Sequence, residues 1–301
     1  MPFCMTLNPL IQQLIAQGPV LTDGAWGTQL QACGLAPGEV PDLWNLTFPE
    51  KVTAVARAYV ETGSQIILTN TFGANRLRLA EGGGADRVKE INEAGVRISR
   101  EVANKRALVF ASIGPSGKML MNGDVTEDKL RAAFAEQAQA LARGGADGLV
   151  VETMQDLEEA RIATAAAKAT GLPVVACMVF DSGKDKDRTM MGATPEQAAA
   201  GLLEAGADVV GANCGQGIAG FVKICARLKA AAGGHPVWIK ANAGLPQIRD
   251  GKSVYTTTAA QFAGHVPAVL EAGASFIGGC CGTSPEFIRE LHKLLREKHN
   301  L

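Results

Sequence analysis

Short apolar runs alternate with longer amphipathic ones along the whole chain. The runs 19–24 (PVLTDG), 65–70 (QIILTN), 107–114 (ALVFASIG), 147–153 (DGLVVET), 173–180 (PVVACMVF), 208–214 (DVVGANC), 236–242 (PVWIKAN) and 275–281 (SFIGGCC) predict eight strands. They are apolar almost throughout, the pattern of parallel strands covered on both faces. Helical segments follow them, among them 49–63, 127–145 and 285–299. Thr194-Pro195-Glu196 and Ser284-Pro285-Glu286 each offer a capping hydroxyl, a proline at the first helical position and an acid in the first turn. Eight such alternations predict an α/β fold, a single (β/α)₈ TIM barrel over residues 1–301. An open doubly wound sheet is the alternative, but no GxGxxG fingerprint follows the first strand.

Four of the units repeat. Counting from Gly63, Gly145, Gly206 and Gly273, the residue seven places on is Asn70, Glu152, Asn213 and Cys280, in strands two, four, six and eight. Alternate barrel strands share packing layers, which accounts for the spacing. It does not account for a polar or metal-binding side chain where each apolar run stops. Strands one and seven also end polar, at Asp23 and Asn242. Carboxy-terminal strand ends are where barrel active sites sit.

Composition narrows the picture. The chain has 301 residues, room for one large domain with its own core, and a net charge of −1. Nothing in it suggests a nucleic-acid footprint or a basic membrane surface. The start, MPFCMTLNPL, does not read as a signal peptide, and no apolar stretch approaches the ~20 residues of a membrane span. A soluble cytoplasmic protein is expected. Its seven cysteines should then be reduced and available as ligands or nucleophiles.

Cys214 lies in GANCGQG, and Cys280 and Cys281 in GGCCGT. All three fall at predicted strand ends on one mouth of the barrel. Adjacent residues of a strand face opposite ways. The CysCys pair can therefore serve one ion only if the strand breaks there, which Gly278, Gly279 and Gly282 permit. Three thiolates suit zinc and leave a fourth position open. The competing reading is three small buried apolar residues; there is no CxxC pair, and spacing leaves both open. Cys4, Cys33, Cys177 and Cys225 read as structural. None of His235, His265, His292 and His299 falls at a strand end, which argues against imidazole ligation or catalysis.

DGAWGTQLQ (23–31), ILTNTFGAN (67–75), SIGPSG (112–117), GANCG (211–215), NAGLP (242–246) and GGCCGTSPE (278–286) together resemble the homocysteine S-methyltransferase family. The local matches are nearest to the homocysteine-binding module of cobalamin-dependent methionine synthase. The resemblance runs in order over essentially the whole chain. It implies a (β/α)₈ barrel and a zinc site formed by Cys214, Cys280 and Cys281, whose open position takes the thiolate of homocysteine. It also implies that Asp23 and Glu152 bind the substrate's ammonium group. Read alone, Asp23 is equally a turn residue and Glu152 equally a helix-cap acid. Backbone N–H groups of Gly24, Ala25 and Trp26 are candidates for the substrate carboxylate. Thr69, Asn213 and Asn242 are candidate pocket members, Asn213 alternatively a hydrogen-bond partner of a metal ligand.

The chemistry is coherent. A free thiol with a pKa near 8.5 is only about 3% thiolate at pH 7, so full ionisation gains about thirty-fold. Holding sulfur and methyl in line supplies more. The methyl donor is not named by the sequence: relatives use a methylcorrinoid, S-methylmethionine, S-adenosylmethionine or a betaine. The chain ends after the eighth helix and holds no DxHxxG element. The donor expected is therefore methylcobalamin on a separate corrinoid protein. Competing classes are a phosphate-binding aldolase or isomerase barrel with Lys240 as its lysine, a corrinoid-binding adaptor without catalysis, and a demethylating methyltransferase. The segments 181–192 and 81–87 read as a solvated loop, with a lid or docking role open for the first, and a flexible turn.

Overall fold

A computed structural model describes residues 7–249 and 252–299. Eight parallel strands form the barrel: β1 (Val20–Leu21), β2 (Ile66–Ile67), β3 (Leu108–Ile113), β4 (Gly148–Met154), β5 (Val174–Met178), β6 (Val209–Gly217), β7 (Val237–Asn242) and β10 (Ala274–Gly279). They neighbour one another in the order β1-β10-β7-β6-β5-β4-β3-β2. A parallel bridge between Thr22 and Ile66 closes the circle. Helices lie between the strands, so the expected (β/α)₈ barrel is the observed fold.

The helices begin where their caps predict. Residues Pro49–Glu61, Glu127–Arg143 and Pro285–His299 are helical. Thr194 accepts the Gln197 N–H and Gln197 answers to the Thr194 N–H, a reciprocal cap before helix Pro195–Glu204. The four repeated glycines share one task. Gly63, Gly145, Gly206 and Gly273 have φ of 97°, 91°, 99° and 109°, the left-handed turn by which a helix end is redirected into the next strand.

Two strands are shorter than their apolar runs. β1 and β2 have two residues each, because polar side chains replace the ladder between them. The Leu21 N–H donates to Gln65 Oε1 at 2.8 Å and the Leu68 N–H to Asp23 Oδ2 at 2.7 Å. The eight-unit pattern also omits an antiparallel hairpin, β8 (Gln247–Arg249) and β9 (Lys252–Val254), in the connection after β7.

Inward side chains follow period two. At the base, Val20, Ile66, Phe110, Val150, Val175, Val209, Trp238 and Phe276 fill the barrel, and Ile11 of helix Pro9–Ile15 packs with this cluster. Two residues on, the inward positions turn polar: Ser112 after Phe110, Glu152 after Val150, Lys240 after Trp238. The outward strand residues pack in a second layer against the helices. The apolar base thus supports a buried charged layer, with the cysteines above it.

Candidate metal and substrate site

β10 stops at Gly279, so Cys280 and Cys281 both lie past the strand, with Gly282 at φ 80°. The break that the glycines permit is present. Cys214 sits where β6 turns, with φ of 62°, and Gly215 follows at φ 78°. Across the mouth, the sulfurs of Cys214 and Cys281 are 3.9 Å apart, and all three Sγ atoms lie within 4.8 Å of one another. Four tetrahedral ligands at a Zn–S distance of about 2.3 Å have sulfurs about 3.8 Å apart. The donor set and its spacing therefore fit zinc, with one coordination position left over.

The three thiols share charge unequally. Hydrogen bonds from Cys280 and Cys281 draw the Cys214 thiol down to about 3. The same contacts, now to a thiolate, push Cys280 well up and Cys281 to about 12. One sulfur ionises readily and the next two resist, as expected when like charges crowd a half-buried site. A dication reverses that resistance. Tyr255 and Asn242 neighbour the cysteines: burial and the nearby Cys281 push the Tyr255 hydroxyl above its usual range, and the Asn242 amide helps to lower Cys214.

Below the sulfurs lies the charged layer. Asp23 and Lys240 form a buried ion pair, 0% and 2% exposed. The other Asp23 oxygen accepts the Trp26 indole N–H and the Leu68 N–H, each at 2.7 Å. Burial alone would discharge Lys240, but Asp23 and Glu152 outweigh it and hold the ammonium above the usual lysine range. Burial pushes Glu152 above the usual carboxylate range, opposed by Lys240 and by Ser112, whose hydroxyl donates to Oε1.

Asn213 joins the two levels. Its Nδ2 lies 2.7 Å from Thr153 Oγ1, 3.4 Å from Glu152 Oε2 and 3.7 Å from Cys280 Sγ, while its Oδ1 accepts the Thr153 N–H at 2.7 Å. Thr153, like Cys214, has φ of 62°. For a β-branched residue that conformation costs about 1–3 kcal/mol, held here by the Asn213 amide.

The remaining candidates divide. Thr69 is fully engaged, with its hydroxyl on Thr71 and accepting the Ser112 N–H at 3.1 Å, so it braces the residue that holds Glu152. Asn242 keeps a buried Oδ1 with no hydrogen-bond partner. Gly24 is a place only glycine fits, since a Cβ there would lie 2.8 Å from Tyr59 Oη and 3.0 Å from Thr283 Oγ1. The Ala25 N–H is already taken by Thr283 Oγ1. Asn70 turns away to Pro41 O and Asn45 Oδ1 and ties down the first loop. Cys177 lies in the barrel interior, Cys225 is on the buried face of helix Ile218–Ala231 and Cys33 sits at a helix end; Cys4 lies outside the described residues.

Segment 181–192 forms a turned loop closed by a Ser182–Arg188 bridge, and 3₁₀ turns span Ala80–Gly82 and Ala85–Arg87. A cavity of about 530 Å³ opens beside Cys214, lined by Asp181, Lys186, Gln216, Leu245, Thr257 and His265. No role is legible in the sequence for Ser112, for the Trp26 indole or for Tyr255, and His265, which lines this cavity, is set aside there. The first two lay inside quoted motifs; Tyr255 and His265 carried no local signal.

Residues 20–295 match the family described as homocysteine S-methyltransferase. A methionine synthase of Mycobacterium tuberculosis is 30% identical over 297 residues, covering 92% of this chain and 25% of the relative. Betaine–homocysteine S-methyltransferase 1 of Danio rerio is 30% identical over 262 residues, covering 80% of this chain and 64% of the relative. The chain thus spans about a quarter of the length of the methionine synthases it matches. The homocysteine methyltransferase MmuM of Escherichia coli, solved in a metallated form, superposes with a TM-score of 0.78 at 24% identity, covering 95% and 99% of the two chains, and shares the fold.

Proposed function

This chain belongs to the homocysteine S-methyltransferase family, and from that premise we propose that it transfers a methyl group to the thiolate of L-homocysteine, giving methionine. One observation carries the reading: three sulfurs within 4.8 Å of one another stand over a buried carboxylate, with the Asn213 amide touching both levels. That arrangement matches an amino acid that bears a thiol at one end and an ammonium at the other.

Cys214, Cys280 and Cys281 hold zinc in this reading. The metal, when bound, supplies the positive charge that keeps an acceptor sulfur ionised. Glu152 takes the ammonium group, and the unpartnered Oδ1 of Asn242 offers a second acceptor. With the Ala25 N–H taken by Thr283, the backbone N–H groups of Gly24 and Trp26 are the candidates at the first strand end for the substrate's carboxylate. The apolar base of the barrel closes the pocket from below, so the sulfur is approached only from the mouth. Three reduced thiols suit the cytoplasm.

For the donor we favour a methylcorrinoid on a separate protein. Phe48, Phe72, Met121, Met190 and Leu245 are the exposed large apolar side chains among the described residues. Phe72, Met121, Met190 and Leu245 lie on the segments that follow the carboxy-terminal ends of β2, β3, β5 and β7, while Phe48 lies between the helices Trp44–Thr47 and Pro49–Glu61. The apolar exposure on those segments is thus gathered on the face with the cysteines, where a docking macrocycle-bearing partner buries it. No helix among the described residues is long and apolar enough to cross a membrane.

The test is a donor screen with zinc-loaded protein and homocysteine, reading methionine. Methylcobalamin, free or protein-bound, is set against S-methylmethionine, S-adenosylmethionine and glycine betaine. Turnover with methylcobalamin supports the reading. Turnover with a sulfonium or betaine and none with methylcobalamin overturns the donor assignment and keeps the acceptor; no methionine from any donor removes both.

A further inference from the structure

The CysCys pair lies past the strand ladder, and the connection after β7 holds it from two sides. The Cys280 N–H donates to Ala241 O at 2.7 Å and the Ala243 N–H to Cys281 O at 2.9 Å. Ala241 is the last β7 residue to pair with β10, opposite Gly279, so these bonds extend the contact beyond the strand's end. After Cys281, Gly282 stands at φ 80° under an aromatic ring: a Cβ there would overlap Cγ, Cδ1 and Cδ2 of Tyr255. Only glycine fits both the turn and the ring. Tyr255 comes from that same connection. The chain leaves β7 through Ala243 and Gly244, runs out along β8, returns along β9 and reaches Tyr255 directly after it. Its two limbs meet again below the hairpin, where a Cβ on Gly244 would lie 2.7 Å from Thr257 Oγ1. The connection is thus a closed loop with a narrow neck. One limb of the neck binds Cys281, and the other rests Tyr255, half-buried, on Gly282.

A turn outside the ladder, with a glycine in the left-handed region, has many conformations open to it. Three sulfurs within 4.8 Å of one another require one of them. We infer that Tyr255 is a positioning residue for the metal site: pressed on Gly282 from the neck of the hairpin loop, its ring fixes the turn after β10 and keeps the Cys281 sulfur within reach of Cys214. The ring acts through Cys281, as groups behind a metal's ligands orient those ligands. This rests on the zinc reading above, and it gives the β8–β9 loop, which the eight-unit pattern omits, a task in that site.

The experiment measures zinc affinity by competition with a chromogenic chelator, and the thiolate-to-metal charge-transfer band of the cobalt(II)-substituted proteins, with Tm recorded alongside. Tyr255→Phe keeps the ring and should match wild type in both. Tyr255→Ala should hold zinc on the order of tenfold to a hundredfold more weakly and change the band. Gly282→Ala drives a methyl group into the ring, so it should cost less zinc affinity in the Tyr255→Ala background than in wild type. The left-handed strain on the new alanine is present in both backgrounds and cancels in the comparison. Zinc held by Tyr255→Ala as tightly as by wild type, with the same band, overturns the inference. So does a Tyr255→Phe protein as weak as Tyr255→Ala, which assigns the effect to the hydroxyl, and so does an equal cost of Gly282→Ala in the two backgrounds. Should Tyr255→Ala fail to fold, Tyr255→Leu, which keeps apolar bulk without the flat ring, is read in its place by the same criteria. In all these cases the metal reading stands. Wild type that binds no zinc overturns that reading and this inference with it.

Discussion

Cys214 and Cys281 face each other with sulfurs 3.9 Å apart, although 67 residues separate them in the chain. Their backbones come from β6, which turns at a positive φ, and from the segment just past β10. The first prediction follows. Purified protein should contain about one zinc per chain. Cys214→Ser, Cys280→Ser and Cys281→Ser should each lose it, while Cys225→Ser, on the buried face of helix Ile218–Ala231, should retain it. Metal analysis decides, and full zinc occupancy in a Cys280→Ser protein would refute the ligand set.

Glu152→Gln should keep the zinc and weaken homocysteine binding. Its carboxylate is bonded to Ser112 and Asn213 and not to any backbone N–H of the strand ladder, so the fold should tolerate the amide. One charge-assisted hydrogen bond is worth about 1.5–3 kcal/mol. Calorimetric titration measures it; an unchanged affinity assigns Glu152 a purely structural role.

Asp42 offers a pH test away from the cysteines. Burial raises its carboxyl to about 7, against the Gly73 N–H bond and nearby Arg78. The unfolded chain releases this proton near 3.8, the folded chain only near 7. Between those values the folded state binds more protons, so this group's contribution falls as pH rises and levels off above about 7. Asp42→Asn can still accept from Gly73 and should be more stable than wild type at pH 8, with the difference shrinking towards pH 4. Urea unfolding across that range checks it, and a pH-independent difference would count against the burial argument.

The apolar rim yields a fourth prediction. Leu245→Glu and Met190→Glu alter side chains that are 66% and 50% exposed, so Tm should change little. Methyl transfer from a protein-bound methylcorrinoid should fall, with homocysteine affinity unchanged. Equal rates from the protein-bound donor would remove the rim from the docking surface.

Much of this was legible in the linear chain because its signals are local. Eight apolar runs and their caps predict the barrel, since strand and helix periodicities are properties of neighbouring residues. The glycine-to-polar spacing of seven marked Glu152, Asn213 and Cys280 as strand-end residues, and their side chains do meet at one mouth. The CysCys break was readable from its glycines.

What the tertiary structure alone decided are relationships between side chains far apart in sequence. Lys240 read as a lone strand lysine; only closure of the barrel sets it against Asp23, 217 residues away. Asp23 read as a candidate substrate contact; only the fold shows the protein donors that also hold its two oxygens. The two-residue β1 and β2 could not be read either, because Gln65 and Asp23 replace backbone partners with side-chain oxygens. Periodicity reports which face a residue occupies. Which groups share a charge or a hydrogen bond across the barrel depends on the register of all eight strands at once.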